Sequence, residues 1–498
     1  MAKNLFFLAF ILLSLHAVFA DELANQLADF SVGLDADIAI KNETLLRSPQ
    51  IIIVDAEIRN PNDEPMTLYL IRQEADGWKF VNLLGAIAPK AKNSIGLEIS
   101  VQYEKKPSAK TRYAIVGRGT GGTIYGTFFE INENWAEYEK EIRDSLTVMV
   151  LMWVPAITLV LIILLFAVAR YAYKNKSPES VKGEYTLQTL IAPNVMDRPF
   201  DEKVADLIMH PITLVFELAC VGVLFWIMLQ SLTETSGADD AGKIMILSAI
   251  GSFAIPFLYF AAAWYFEKRE EGKPLRFFVA MFVWGMFSAF LSLLVSSGII
   301  SELRGVDIAP YVIVATMLVS PVVEETFKGI GILFMSGHHD YNDALTGLLL
   351  GFTCGAGFAF VENWFYFSFK TNPFDIGLVS WATLILYRSF FNTLAHGCFT
   401  AAVSTPIGYA RSIRQLKSVA RLAFVPGVFL AIAIHSIYNM SALADSFVVD
   451  GKVVPFYVFN PMLIILLATM FFLVLVFAVI DEKKRAALDR HGGAMAPG

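Results

Sequence analysis

An apolar segment of membrane length, PYVIVATMLVSPVVEETFKGIGILF at residues 310–334, carries two adjacent glutamates and a lysine. On a helix Glu324 and Glu325 point about 100° apart, and Lys328 lies one turn further along, beside both. The ammonium group can therefore hold one carboxylate ionised while the other faces a bound water. A charge at the centre of a bilayer costs roughly 2.5 to 3.5 kcal/mol, so this trio predicts a polar site.

Three further apolar segments carry ionisable or amide side chains. Arg388 and His396 are eight residues apart and share a helical face, as do His435 and Asn439, which are four apart. Intramembrane charges must pair internally or line a wet cavity, so their concentration in four consecutive segments predicts one shared site. With the first trio, the predicted site residues are Glu324, Glu325, Lys328, Glu362, Arg388, His396, His435 and Asn439.

The motif order resembles that of the PrsW family of intramembrane proteases. It reads Glu-Glu-x-x-Lys, Phe-x-x-x-Glu-Asn, Arg-x7-His-x3-Thr and His-x3-Asn, one motif on each successive segment. More distantly it is similar to the CAAX-prenyl endopeptidase and bacteriocin-processing superfamily of glutamic intramembrane proteases. The resemblance covers roughly residues 200 to 445. It implies an endopeptidase acting on membrane-protein or membrane-anchored peptide substrates, and it suggests anti-sigma factors among them.

The residue types suit peptide hydrolysis without a metal or other cofactor. Either Glu324 or Glu325 can take a proton from water, and only the resemblance favours Glu324 as the base. His396 can position the water or protonate the leaving amine, and His435 with Asn439 suits the oxyanion. Lys328 and Arg388 would hold carboxylates in place, and Glu362 would pair with one of these cations or orient a histidine.

Two other functions use the same residues. Carboxylates and imidazoles also bind Zn²⁺, so a zinc-dependent membrane protease is one alternative, although no H-E-x-x-H motif is present. A proton- or cation-coupled transporter is the other, because intramembrane glutamates and histidines often form relays. Outside the cluster, Glu217 has no visible partner in its segment, and His338 with His339 is interpreted as part of a solvated loop.

Composition agrees with a membrane protein. Of 498 residues, 56% are hydrophobic and only 17% are charged, which argues against soluble, disordered and nucleic-acid-binding proteins. The predicted fold is a polytopic α-helical membrane protein with about nine transmembrane helices and an N-terminal extracytoplasmic all-β, sandwich-like domain. The predicted spans are 146–169, 211–232, 243–266, 277–300, 310–334, 344–369, 379–408, 422–444 and 456–480.

Residues 1–20 have the layout of a secretory signal peptide, and residues 21–140 form the predicted β domain. Its strands are expected at 51–58, 66–71, 78–83, 95–103, 112–116 and 123–131. Gly117, Gly119 and Gly122 match G-x-G-x-x-G, but no helix follows them. We therefore expect a glycine-rich hairpin loop there and no nucleotide site.

The distribution of basic residues predicts the orientation. The inner segments 170–204, 267–276, 335–343, 409–421 and the tail after 480 together contain eighteen Lys and Arg, although 335–343 has none, against four in the outer segments. This asymmetry satisfies the positive-inside tendency and puts the N-terminal domain outside the cell membrane and the C-terminus in the cytoplasm. After the β domain, the predicted parts are an anchor at 146–169, a cytoplasmic linker at 170–204, a protease-like domain at 205–480 and a cytoplasmic tail at 481–498.

Overall fold

The computed structural model describes residues 26–28, 30–32, 34–42, 50–74, 77–101, 109–133, 135–174, 187–192, 198–270, 273–303, 318–443, 446–449 and 452–492. The predicted signal peptide lies outside these residues. The chain divides into two compact units. One contains Met1–Ser145 with Asn372–Trp381, and the other contains Leu146–Thr371 with Ala382–Gly498.

The first unit is built on β-strands. They are β1 (Ser31–Val32), β2 (Asp35–Asn42), β3 (Gln50–Arg59), β4 (Met66–Glu74), β5 (Gly77–Ile87), β6 (Lys92–Val101), β7 (Ala109–Gly119) and β8 (Ile124–Glu133). The five-stranded sheet has the order β1-β8-β7-β4-β5, and the three-stranded sheet has the order β2-β3-β6. All neighbours pair antiparallel except β1 and β8. The six predicted strands are confirmed within a few residues, whereas β1 and β2 were not predicted.

Each sheet buries apolar side chains from alternate positions of its strands. In β3, Val54, Ala56 and Ile58 are buried, which is the period-two pattern of a strand with one covered face. In the larger sheet, Ile71 and Ala114 belong to a second core. This region is therefore a small β-sheet unit, and the face-to-face sandwich stays a prediction.

The glycine motif forms the predicted hairpin loop between β7 and β8. The carboxylate of Glu64 accepts hydrogen bonds from Thr123 Oγ1 at 2.6 Å, the Gly121 amide at 2.7 Å and Thr120 Oγ1 at 2.9 Å. These bonds stabilise the ionised form and lower the pKa of Glu64 below its ordinary value, with Thr123 contributing most. The loop therefore encloses a carboxylate of its own chain.

The rest of the described chain is mainly helical. The helices are α1 (Trp135–Lys174), α2 (Leu187–Ile191), α3 (Phe200–Ile208), α4 (Pro211–Ser236), α5 (Ala238–Glu270), α6 (Leu275–Leu303), α7 (Ser320–Met335), α8 (Ala344–Phe365), α9 (Pro373–Ile376), α10 (Leu378–Ser412), α11 (Phe424–Leu443) and α12 (Phe456–Gly492). A π-helical turn, Tyr366–Lys370, extends α8, and a 3-10 helix, Lys417–Ala423, precedes α11. Strands β9 (Ser446–Val449) and β10 (Lys452–Pro455) form a short hairpin.

Seven helical segments within the described residues are long and apolar enough to cross a membrane. They support a multi-pass membrane protein, but they do not confirm nine spans. The predicted span 310–334 lies partly outside the described residues, and α7 itself has 16 residues. Helix α10 has 35 residues. Its serines, threonines, asparagine and histidine lower its hydropathy below that of the other segments.

Helix α8 is the central helix of this unit, and its apolar stretch is entirely buried. Its glycines permit close backbone contact. A Cβ added at Gly355 would overlap the carbonyl oxygen of His396 on α10, and one at Gly351 would overlap Ser404. On another side of α8, a Cβ at Gly357 would overlap the carbonyl of Phe282 on α6. These contacts hold α8 between the two helices.

Candidate active site

Helix α7 begins immediately before its acidic pair. Pro321 lies in the first turn of α7, where its missing amide hydrogen costs no hydrogen bond within this helix. Glu325 Oε1 lies 2.5 Å from Lys328 Nζ and 2.8 Å from His435 Nδ1 on α11. Both Glu325 and Lys328 are fully buried. The acidic pair therefore faces the protein interior.

Lys328 connects α7 to α8 and α10. Its Nζ lies 3.1 Å from His396 Nδ1 and 4.1 Å from the ring centroid of Phe358. An ammonium group can only donate, so His396 Nδ1 accepts and Nε2 carries the imidazole proton. His396 Nε2 then donates to Glu362 Oε2 at 2.8 Å. The two charged neighbours define the tautomer of His396.

His435 takes the opposite tautomer. Its Nδ1 donates to the Glu325 carboxylate, so Nε2 of the neutral ring keeps a lone pair. Nε2 lies 3.8 Å from Glu324 Oε2, which has no hydrogen-bond partner within the described part of the chain. Ser320 Oγ donates to the other oxygen of Glu324 at 2.7 Å. Two acceptor atoms therefore face each other across a short gap.

The two glutamates differ in access. The side chain of Glu324 is 10% exposed, whereas that of Glu325 is 0% exposed and is held by Lys328 and His435. Glu324 is therefore the more exposed side chain of the pair, although its Oε2 atom is buried.

A second network surrounds Glu362. Arg388 Nη2 lies 3.4 Å from Glu362 Oε1, and the guanidinium carbon lies 3.9 Å from the ring centroid of Tyr366. Asn392 Nδ2 donates to Glu362 Oε2 at 2.9 Å and to Asn363 Oδ1 at 3.0 Å. Glu362 pairs with a cation and orients a histidine, so it meets both expectations for it.

The structure brings seven of the eight predicted residues into one connected cluster on four helices. They are Glu324, Glu325, Lys328, Glu362, Arg388, His396 and His435. The eighth, Asn439, is half-buried on α11, one turn beyond His435. Glu217 is 1% exposed on α4, and neither of its carboxylate oxygens has a hydrogen-bond partner within the described residues.

The expectation of a solvated histidine loop is wrong for His338, whereas the side chain of His339 is 34% exposed. His338 is fully buried, and its Nδ1 accepts a hydrogen bond from the amide of Asp340 at 3.2 Å. Burial, with the positive charge of neighbouring groups, lowers the pKa of His338 to about 2. Next to it, His339 lies 3.4 Å from Glu202 on α3. The histidines therefore pack the end of the helical unit.

Sequence reasoning missed three polar members of the cluster. Ser320 precedes Glu324 by four residues, Asn392 precedes His396 by four, and Tyr438 follows His435 by three. These spacings put each on the helical face of a predicted site residue. Tyr438 Oη donates to Asn392 Oδ1 at 3.3 Å. A search for polar residues three or four positions from each predicted site residue would have identified all three.

The donor set resembles a metal site by distance alone. One ligand atom from each of Glu324, Glu325, His396 and His435 lies within 4.8 Å of the others. However, Lys328 donates to both Glu325 and His396, and the other nitrogen of His396 faces Glu362. His396 therefore has no lone pair for a metal, and a divalent cation would lie beside a buried ammonium group. The four-donor set does not fit a metal ion in this arrangement.

Comparison with known proteins finds one matching protein family. The model of the PrsW family, described as intramembrane metalloproteases, matches residues 273–477. This range includes all eight predicted site residues. No curated protein and no solved structure matches the chain. The four-helix cluster therefore lies in the part of the chain, residues 273–477, that is similar to the PrsW family of intramembrane proteases.

Proposed function

We propose that this protein is an intramembrane endopeptidase that hydrolyses membrane-protein substrates with a water molecule activated by Glu324, without a metal. One observation carries the proposal. Glu324 Oε2 and His435 Nε2 face each other at 3.8 Å, and both are acceptors when the ring is neutral. A water donating one hydrogen bond to each would keep its lone pairs directed outward, toward a substrate carbonyl carbon.

Glu324 takes the proton as the water attacks, because Ser320 holds its other oxygen and leaves Oε2 available. The protonated Glu324 then lies beside His435 Nε2 and passes the proton on. His435 thereby becomes a donor for the leaving amine or the oxyanion, with Asn439 one turn away as a second donor. Glu325 stabilises the imidazolium ion through its bond to His435 Nδ1.

The cluster is close to electrical neutrality, which lowers the free-energy cost of burying it in the membrane. Glu324, Glu325 and Glu362 carry negative charge, and Lys328 and Arg388 carry positive charge. His435 gains the proton that Glu324 took from water, so the proton stays within the cluster. Buried ions are tolerated when they are paired and hydrogen-bonded in this way.

A zinc-dependent protease is the second candidate. It is favoured by the four ligand atoms within 4.8 Å of one another and by the family description. It requires Lys328 to release His396, or a site that uses Glu324, Glu325 and His435 with a water. A chelator would remove activity under the zinc mechanism and leave it unchanged under the metal-independent one.

We expect purified protein in liposomes to cleave a single-span membrane protein equally well before and after treatment with EDTA and 1,10-phenanthroline. Added zinc is expected to leave the rate unchanged or to inhibit, because Zn²⁺ would compete for Glu324 and His435. The measurement is the rate of product formation by gel and mass spectrometry, together with metal content. A zinc enzyme treated identically controls for chelation. Activity lost with chelator and restored by about one zinc per chain would favour the metal mechanism, and no cleavage of any substrate would argue against the protease.

For the architecture we propose nine spans, with the β unit outside the cell and the C-terminus inside. The eighteen basic residues of the predicted inner segments support this orientation. We propose that α7 and α10 are the two spans beyond the seven apolar segments. Both carry cluster residues. The described part of α7 is too short to count as a span, with 16 residues, and polar side chains lower the hydropathy of α10.

Single cysteines test the orientation. Arg118 in β7 and Lys417 before α11 are both exposed. In a background with Cys220, Cys354 and Cys398 replaced, R118C is expected to react with a membrane-impermeant maleimide on intact cells. K417C is expected to react only after permeabilisation. Equal labelling of both positions on intact cells would contradict the orientation, and labelling of both after solubilisation checks that each thiol is reactive.

A further inference from the structure

Asn392 is a buried amide at the meeting point of three helices. It lies on α10, one turn before His396, and is 2% exposed. Its Nδ2 contacts Glu362 Oε2 at 2.9 Å and Asn363 Oδ1 at 3.0 Å, both on α8. Its Oδ1 accepts from Tyr438 Oη on α11 at 3.3 Å.

These contacts determine which way the amide points. Nδ2 has two hydrogens and faces two acceptors, whereas Oδ1 faces a hydroxyl donor. The reversed amide would put its oxygen against the oxygens of Glu362 and Asn363 and leave both without this donor. Tyr438 therefore holds the amide in the orientation that donates to Glu362.

Glu362 Oε2 receives two hydrogen bonds, from Asn392 Nδ2 and from His396 Nε2. Arg388 contacts the other oxygen at a longer distance of 3.4 Å. Without Asn392, the carboxylate would keep the guanidinium on one oxygen and the imidazole on the other, and it could rotate toward Arg388. The position of His396 beside Lys328 depends on the carboxylate staying in place.

We propose that Asn392 is a positioning residue of the site. It holds Glu362 against His396, and through Glu362 it keeps the proton of His396 on Nε2 and the lone pair of Nδ1 toward Lys328. The effect on catalysis rests on the proposed protease function, whereas the effect on the tautomer of His396 does not.

Two substitutions of similar size separate hydrogen bonding from packing. Asn392→Leu removes both donors, and we expect kcat to fall roughly 10- to 100-fold at every pH with little change in KM, because misplaced catalytic groups affect the chemical step. Asn392→Asp introduces a carboxyl group that faces Glu362 on α8 and Tyr438 on α11, with Arg388 and His396 on its own helix.

The aspartate variant is expected to depend on pH. When the introduced acid is ionised, it repels Glu362 and cannot donate to it. When it is protonated, its O–H can replace the amide donor. The activity of N392D relative to the unmodified protein is therefore expected to rise as the pH falls, whereas the relative activity of N392L stays constant.

Thr393→Val is the matched control. Thr393 is the next residue of α10, is fully buried, and its hydroxyl has no hydrogen-bond partner within the described residues. It contacts none of the cluster residues through a hydrogen bond, so T393V is expected to retain activity and the original pH profile. This control shows whether any polar-to-apolar change at this depth disturbs the helix.

A spectroscopic readout separates the inference from the proposed function. With ¹⁵N-labelled histidine, His396 is expected to give the Nε2–H pattern in the full-length protein and a mixed or Nδ1–H pattern in N392L, with H396Q identifying the signal. A tautomer change without any protease activity would support Asn392 and refute the function. Cleavage that is unaltered in N392L and N392D, with the His396 signals unchanged, would overturn the role of Asn392 while leaving the function intact. An equal loss in T393V would also overturn it, by assigning the effect to helix packing.

Discussion

Glu324→Gln is expected to lower kcat/KM for a cleaved substrate by about 10²- to 10⁴-fold, the range that a general base contributes. Glutamine keeps the shape of the side chain and can still accept the hydrogen bond from Ser320. It cannot take a proton from water, and its amide group would donate to His435 Nε2 and displace the water. The measurement is the initial rate of cleavage by protein reconstituted at equal amounts.

Glu217→Gln provides the matched control for that experiment. Glu217 is also buried on a helix of membrane length, yet none of its oxygens has a hydrogen-bond partner within the described residues. The same chemical change there is expected to leave cleavage within about twofold. Equal rates for E324Q and the unmodified protein would remove Glu324 from the mechanism. Comparable losses in both variants would mean that the effect is not specific to the cluster.

Lys328→Met is expected to reduce the free energy of unfolding by about 3 to 5 kcal/mol, because it leaves the carboxylate of Glu325 buried without its cation. Methionine retains the length of the stem and its contact with Phe358. Cleavage should also be lost, since His396 and Glu325 no longer share a donor. The measurement is unfolding of the purified protein by SDS titration, followed by circular dichroism, with cleavage measured in parallel.

The double variant E325Q/K328M isolates the charge. Removing the carboxylate charge together with the ammonium group is expected to recover most of the lost unfolding free energy, because no unpaired ion remains. Cleavage is expected to stay low, since Gln cannot stabilise a protonated His435. A K328M variant that loses less than about 1 kcal/mol would contradict the buried ion pair. A double variant as unstable as K328M would assign the loss to packing.

The spacing of the ionisable residues was enough to predict which helices build the site. Glu324, Glu325 and Lys328 share one side of α7 because of the helical period, and Arg388 and His396 both reach Glu362 for the same reason. Hydropathy was less informative for a helix that carries many polar side chains. Helix α10 is long enough to span a membrane, but its polar side chains face the interior and weaken the apolar signal.

The sequence alone determined the chemical types present, their order along the chain and the helical faces that they share, since each follows from composition and a period of 3.6 residues. The tertiary structure decided which nitrogen of His396 and of His435 carries a proton, that Glu324 is the more exposed carboxylate of its pair, and that Asn392 and Tyr438 join the cluster. The reason is physical: a tautomer is set by partners on other helices, and those helices approach closely only where glycines such as Gly355 let two backbones meet.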